Sequence, residues 1–219
     1  MDLHDALSIQ KAVEAVVSQY GAIDILINNS GKGIAGPIEE TPLEEIRSVF
    51  ETNLVGATAV LQSVQPVMRT QNKGKIINIT SIAGYSGLPF RAAYSATKSA
   101  LHVLIESLRL ELKPTNIQSC TLAPGDVATN ISQSRYHVPV KENSPYQAIY
   151  GAARKDIDAH VDDGVSAKTV VISIHRLLRK NKLKPHYTVG PFLQRFSVYL
   201  KSYLPPKNYE FILSKFYNL

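Results

Sequence analysis

A single cysteine, Cys120, excludes an intrachain disulfide and a cysteine metal cluster and points to a reducing, cytoplasmic compartment. It lies in the strand-like run Ile117 to Ala123, so a buried core thiol is expected rather than a nucleophile. The six histidines form no H-x-x-x-H pair and none accompanies a suitable acid, so they read as structural or surface groups and no metal is expected. No apolar run reaches the ~18 residues that cross a bilayer. The N-terminus also lacks a basic-then-apolar signal pattern, so a soluble or membrane-peripheral protein is expected. Internal repeats and low-complexity tracts are missing too. With 44% apolar and only 19% charged residues, the composition excludes a disordered chain. The net charge of +6 does not single out a nucleic-acid partner, because basic residues are dispersed. Their one cluster, Arg176, Arg179, Lys180, Lys182 and Lys184, reads as a solvated helix end. A net positive field would suit an anionic dinucleotide.

What is present is an alternation of strands and helices in 219 residues, a length that fits one domain. Ile9, Val13, Val16, Val17 and Tyr20 recur at helical spacing after Asp5, a candidate N-cap, and Gly21 ends the pattern. Ile23 to Ile27 reads as a strand buried on both faces of a parallel sheet. Thr41-Pro42-Leu43-Glu44 reads as a capping box opening a long helix, 42 to 70, with the stripe Ile46, Val49, Phe50, Leu54, Ala57, Leu61, Val64. A strand at Lys75 to Thr80, a helix from about Ala92 to Leu112 and a strand at Ile117 to Ala123 follow. Residues 130 to 165 read as a loop and helix insertion, 168 to 180 as a helix and His186 to Val189 as a last strand. The order predicts an α/β fold with a doubly wound, Rossmann-like parallel sheet and ligands at the carboxyl ends of its strands.

Tyr94 and Lys98 stand four apart in a helix and project from one face. Bringing a phenol from a pKa near ~10 to about 7 takes roughly 4 kcal/mol of preference for the phenolate. One ammonium at about 4 Å supplies a Coulomb term of that order at an effective dielectric of about 20. Tyr94 could then exchange a proton with a substrate oxygen. Tyr203 and Lys207 repeat the spacing but span Pro205-Pro206, which no helix accommodates. Ser81, at the end of a strand, is either a turn serine or a group that orients a substrate oxygen. Asn53 on the apolar stripe needs a partner, and a structural bond and a proton-relay role are equally open. Asn28-Asn29-Ser30-Gly31 after the first strand is a turn or the wall of a nucleotide site. Gly31-Lys32-Gly33-Ile34-Ala35-Gly36 matches G-x-G-x-x-G, but Pro37 follows where the fingerprint needs a helix, so it reads as a loop beside the cleft.

Asn28-Asn29-Ser30-Gly31, Asn53, Ser81, Tyr94-Ser95-Ala96-Thr97-Lys98 and Pro124-Gly125 resemble, in order and approximate spacing, the signatures of the short-chain dehydrogenase/reductase family. The resemblance implies an NAD(P)-dependent oxidoreductase interconverting a secondary alcohol and a carbonyl. It implies Tyr94 as acid/base, Lys98 lowering its pKa and binding the nicotinamide ribose, Ser81 positioning the substrate oxygen and Asn53 supporting the proton relay. Asn28 would line the adenosine side, and Pro124, Gly125, Val127 and Thr129 would border the nicotinamide. Asp2-Leu3 resembles the pair ending the family's third strand, which contacts adenine. The family's Thr-Gly-x-x-x-Gly-x-Gly loop has no counterpart, so 1–219 is expected to be a single domain, N-terminally truncated by its first β-α-β-α segment. At about 30 residues per β-α-β unit, roughly 50 to 60 residues would precede it. The competing reading is a non-catalytic remnant or interaction module that has lost the phosphate site and exposes a sheet edge. By the same resemblance the partners are a small-molecule alcohol or carbonyl and a second copy of the chain, through helices 42 to 70 and 92 to 112; nucleic acid is not expected.

Residues 191–219 form an amphipathic tail in which Phe192, Phe196, Tyr199, Leu200 and Tyr203 recur at helical spacing beside Arg195 and Lys201. A flap on the chain's own domain or subunit is the favoured reading and a membrane-surface helix the alternative. Its aromatic character suggests a hydrophobic substrate.

Overall fold

In the computed structural model, which describes residues 1–129, 135–162, 164–217 and 219 (side chains at 156 and 158–162 excepted), four parallel strands carry the molecule. They are β1 (Ile25–Asn28), β3 (Gly74–Ile79), β4 (Ile117–Pro124) and β8 (His186–Val189), in the order β1-β3-β4-β8. Central strands in such a sheet need apolar residues on both faces. Ile76 and Ile77, neighbours on β3, are both 0% exposed and enter different cores. Ile76 and Ile117 pack with α1 (Ala6–Tyr20), α3 (Ala57–Gln71) and α4 (Ala92–Glu111). Ile77, Cys120 and Leu122 pack on the other face against Leu177 of α6 (Ala167–Leu178). Each fully buried aliphatic side chain contributes about 1.5–3 kcal/mol.

The first strand departs from expectation. Leu26 packs on the α3 and α4 side, but Ile25 and Ile27 are 47% and 43% exposed. They pair beside Lys75 and Ile77, on the α6 face, and α6 lies over the far half of the sheet, with Leu177 against β4 and β8. Among the described residues β1 pairs only with β3. The first helix is capped as its sequence implies: Asp5 accepts from the Leu7 amide, and Gly21 takes the left-handed φ of 75°. Only Ile9 of its stripe is buried; Val16 and Tyr20 face outward.

The long helix begins differently from the expected capping box. Thr41 Oγ1 donates to the Pro37 carbonyl at 2.6 Å, closing a 3-10 turn (Ile38–Glu40), so no side chain caps α2 (Leu43–Phe50). Between α2 and α3 the chain makes a π-helical segment, Glu51–Gly56, a widened turn of a kind frequent at functional sites. Asn53 lies in it, 1% exposed.

The insertion contains β6 (Tyr136–His137), paired with β2 (Ile34–Ala35), then α5 (Gln147–Asp162) and β7 (Val165–Ser166), paired with β5 (Val127–Ala128). Positions 130–134 and 163 of that predicted insertion lie outside the described residues. The tail forms two helices, α7 (Phe192–Tyr203) and α8 (Pro206–Phe216), broken at Leu204-Pro205. It docks on the domain, yet Phe192, Tyr199 and Tyr203 of the predicted stripe are exposed. Its anchors are buried phenols: Tyr209 Oη lies 2.8 Å from Ser86 Oγ, and Arg91 Nη2 donates to Tyr217 Oη at 2.8 Å. No helix among the described residues is long and apolar enough to cross a membrane.

Candidate active site

The segments that leave β1, β3 and β4 at their carboxyl ends meet α4 around a cavity of about 700 Å³. β1 contributes Asn29, Ser30 and Gly31; β3 contributes Thr80 and Ser81; β4 contributes Pro124, Gly125, Asp126, Val127 and Thr129. Helix α4 adds Tyr94 and Lys98, and Arg91 stands just before it. Ser81, Tyr94, Lys98, Pro124, Gly125, Val127 and Thr129 thus converge as the sequence suggested. The G-x-G-x-x-G segment is no helix start: Ile34–Ala35 is a strand, and a methyl on Gly36 would sit 2.1 Å from Val138 Cγ2.

The Tyr94 phenol interacts with the Ser81 hydroxyl, which also accepts from the Ala83 amide at 3.1 Å and so has a fixed direction. Burial raises the Tyr94 pKa above the ordinary phenol value, while Ser81, Arg91 and Arg135 act in the opposite sense. The Lys98 ammonium lies 5.9 Å from the Tyr94 ring centroid. Burial pushes Lys98 itself down to about 8. Its Nζ donates to the Ile79 carbonyl at 3.2 Å, one bond for three donors, leaving capacity for a hydroxyl-bearing ligand. Gly31 passes so close that a methyl there would lie 3.2 Å from Nζ.

Asn53 does not face the cavity. Its Oδ1 accepts from the Lys32 amide at 2.7 Å and its Nδ2 donates to the Lys32 carbonyl at 3.0 Å and Thr97 Oγ1 at 3.1 Å. These bonds tie the glycine loop to α4 one residue before Lys98. Asn28 also turns inward, donating to the Ala57 carbonyl at 3.0 Å, and its neighbour Asn29 lines the cavity instead. Asp2 is exposed and accepts from the His4 amide, while Leu3 packs against Gly56; neither lines the cavity. Cys120 is fully buried, and burial raises its thiol to about 12. No group of three or more metal-ligating side chains occurs among the described residues.

Sequence reasoning missed Arg91, Asp126 and Gln194. Gln194 holds Asp126 at both ends, accepting from its amide at 2.8 Å and donating to its carboxylate at 2.6 Å. The one available signal for Arg91 was its position three residues before Tyr94, a helical neighbour on the same side.

Comparison with known proteins follows the same lines. The family model described as short chain dehydrogenase matches residues 1–138. The 3-ketodihydrosphingosine reductase of Bacteroides thetaiotaomicron is 33% identical over 218 residues, covering 99% of this chain and 81% of that protein. A short-chain dehydrogenase from Streptomyces avermitilis superposes with a TM-score of 0.78 at 28% identity, over 92% of this chain and 74% of that one. NAD+-bound xylitol dehydrogenase does so with a TM-score of 0.71 at 26% identity, over 86% and 76%.

Proposed function

Because the chain belongs to the short-chain dehydrogenase/reductase family of oxidoreductases, we propose that it interconverts a secondary alcohol and a carbonyl with NAD or NADP, using Tyr94, Lys98, Ser81 and Asn53. The observation that carries this reading is the Tyr94 phenol beside the oriented Ser81 hydroxyl at the cavity, with the Lys98 ammonium one helical turn further along α4. A bound nicotinamide supplies or accepts the hydride. The residues of the chain do the rest. Ser81 orients the substrate oxygen, and Tyr94 gives it a proton in reduction or takes one in oxidation. The raised pKa keeps the phenol protonated at neutral pH, the form that serves reduction. Lys98 offers its spare donors to the ribose hydroxyls, and Asn53 keeps loop and helix at a fixed separation so that the relay through Lys98 holds.

Pro124, Gly125, Val127 and Thr129 border the nicotinamide in this reading. Asn28 braces the adenosine side through Ala57, next to Gly56 and Leu3, so the adenine would lie toward Asp2 and Leu3. Copies of the chain associate through α3 and α4, where Val103 and Leu110 are 62% and 63% exposed. The substrate is a hydrophobic small molecule, and the protein works in the cytoplasm or at a membrane surface. The test is a fluorescence titration of the purified chain with NADH and NADPH, with turnover of Tyr94→Phe in parallel. Saturable binding, with turnover in Tyr94→Phe down by at least about 10²-fold, is expected. Absence of binding at millimolar cofactor would favour the non-catalytic reading instead.

A further inference from the structure

Beside the large cavity lies a second one of about 340 Å³, bounded by the tail helices. Its wall is mainly apolar, from Ile82, Leu88, Phe196, Leu200, Ile212 and Leu213. Ser81, Arg91, Gly125 and Asp126 line both cavities, so the two meet at the reacting hydroxyl. Arg91 is the anomaly there. It is 9% exposed, and among the described residues no carboxylate pairs with it. Among the described residues the guanidinium makes one hydrogen bond, from Nη2 to Tyr217 Oη, and its buried Nε makes none.

A guanidinium withdrawn from water with no carboxylate bound to it is unfavourable, and a donor left unmade adds to that. The acid on the shared wall, Asp126, has its carboxylate held by Gln194 instead. Nε with an adjacent Nη presents the two-pronged edge that carboxylate and phosphate oxygens match. Among the charges acting on the Tyr94 phenol, Arg91 ranks ahead of Arg135 and Asp126, which places its field at the reacting centre.

We propose that Arg91 is an anion anchor for the substrate: the molecule that reacts at Tyr94 has an apolar chain seated in the smaller cavity and an anionic oxygen group, carboxylate or phosphate ester, held by Arg91 within a few bonds of the reacting carbon. This rests on the reading above only in placing the reacting oxygen at Ser81 and Tyr94; the anion site itself stands on Arg91 and the two cavities. A neutral or cationic long-chain carbonyl compound would leave Arg91 unpaired and bind worse.

The test is calorimetric binding, without cofactor, of decanoate, decyl phosphate, decanol and decylamine to the 219-residue chain. Decanoate or decyl phosphate is expected to bind at least about tenfold tighter than decanol, a difference of about 1.4 kcal/mol, and decylamine weakest. Which of the two anions binds better identifies the group. Arg91→Gln should lose the preference and keep decanol binding. Tyr217→Phe, which frees Nη2 and keeps the ring, should retain or strengthen it, so the idea stays testable if Arg91→Gln does not fold. Equal affinity of wild type for decanol and both anions, no binding of any probe at millimolar concentration, or undiminished preference in Arg91→Gln would overturn the proposal. Since no cofactor is present, loss of dehydrogenase turnover would sink the functional reading without touching this result.

Discussion

A lysine buried to 4% exposure and pushed from 10.5 to about 8 has a consequence that needs no substrate. Between those values the unfolded chain holds a proton on Lys98 that the folded chain has released, so stability rises as pH climbs through 8 toward 10.5. The gain is about 2 to 3 kcal/mol at pH 10 relative to neutral. Cys120 and Tyr85, each raised to about 12, act in the opposite sense above about 9 and about 10, but they do so in wild type and in a Lys98 variant alike, so the contribution of Lys98 is the difference between the two. Melting temperatures of wild type and Lys98→Met between pH 8 and 10 should converge, with the wild type gaining on the variant. Parallel curves would mean that the lysine is charged and compensated. The residues proposed to perform chemistry were the most legible part of the sequence, because Tyr94 and Lys98 declare themselves by helical spacing and Ser81 by its place after a strand. Asn53 was legible as a residue needing a partner and Asn28 as part of a turn or nucleotide wall, but the partners they take, Lys32 and Ala57, are set by tertiary approach and leave no local signal. Arg91 had only its spacing from Tyr94 to mark it, because its isolation is a fact about what fails to surround it.

At the scale of elements, periodicity read correctly wherever a segment is covered on the faces its pattern implies. β3, β4 and α4 are of that kind. It misread β1, because an apolar run states a preference for burial and not what arrives to satisfy it. With Ile25 and Ile27 exposed and one edge unpaired among the described residues, β1 is a template for pairing with another chain. Self-association is therefore expected by two routes, through β1 or through α3 and α4. Light scattering on Ile27→Lys and Val103→Lys separates them. If the proposed helical dimer dominates, Val103→Lys lowers the mass and Ile27→Lys leaves it, whereas the reverse pattern assigns association to the edge strand. A monomeric wild type at micromolar concentration would remove both routes. The capping box failed in a similar way: Thr41 had a partner in Pro37, four positions back across a turn whose closure no pairwise motif records.

For the whole molecule, the doubly wound architecture and the location of its cleft were readable from the order of elements, whereas the second cavity was not, since it exists only where the tail meets the middle of the chain. The bonds that fasten it join residues 123 and 126 positions apart, Ser86 to Tyr209 and Arg91 to Tyr217. Contacts so distant in sequence repay their loop-closure entropy only after the nearer ones have formed. The sheet and its flanking helices should therefore assemble first and the apolar chamber last. In a stopped-flow refolding experiment, far-UV signal should recover before a fluorescent fatty-acid probe is captured, and Tyr209→Phe with Tyr217→Phe should delay capture without slowing the earlier phase. Simultaneous recovery would place the tail in the folding nucleus instead. A chamber closed last is also the part that opens most cheaply, so access to the site can be governed by the fastening of two phenols while the sheet beneath stays intact.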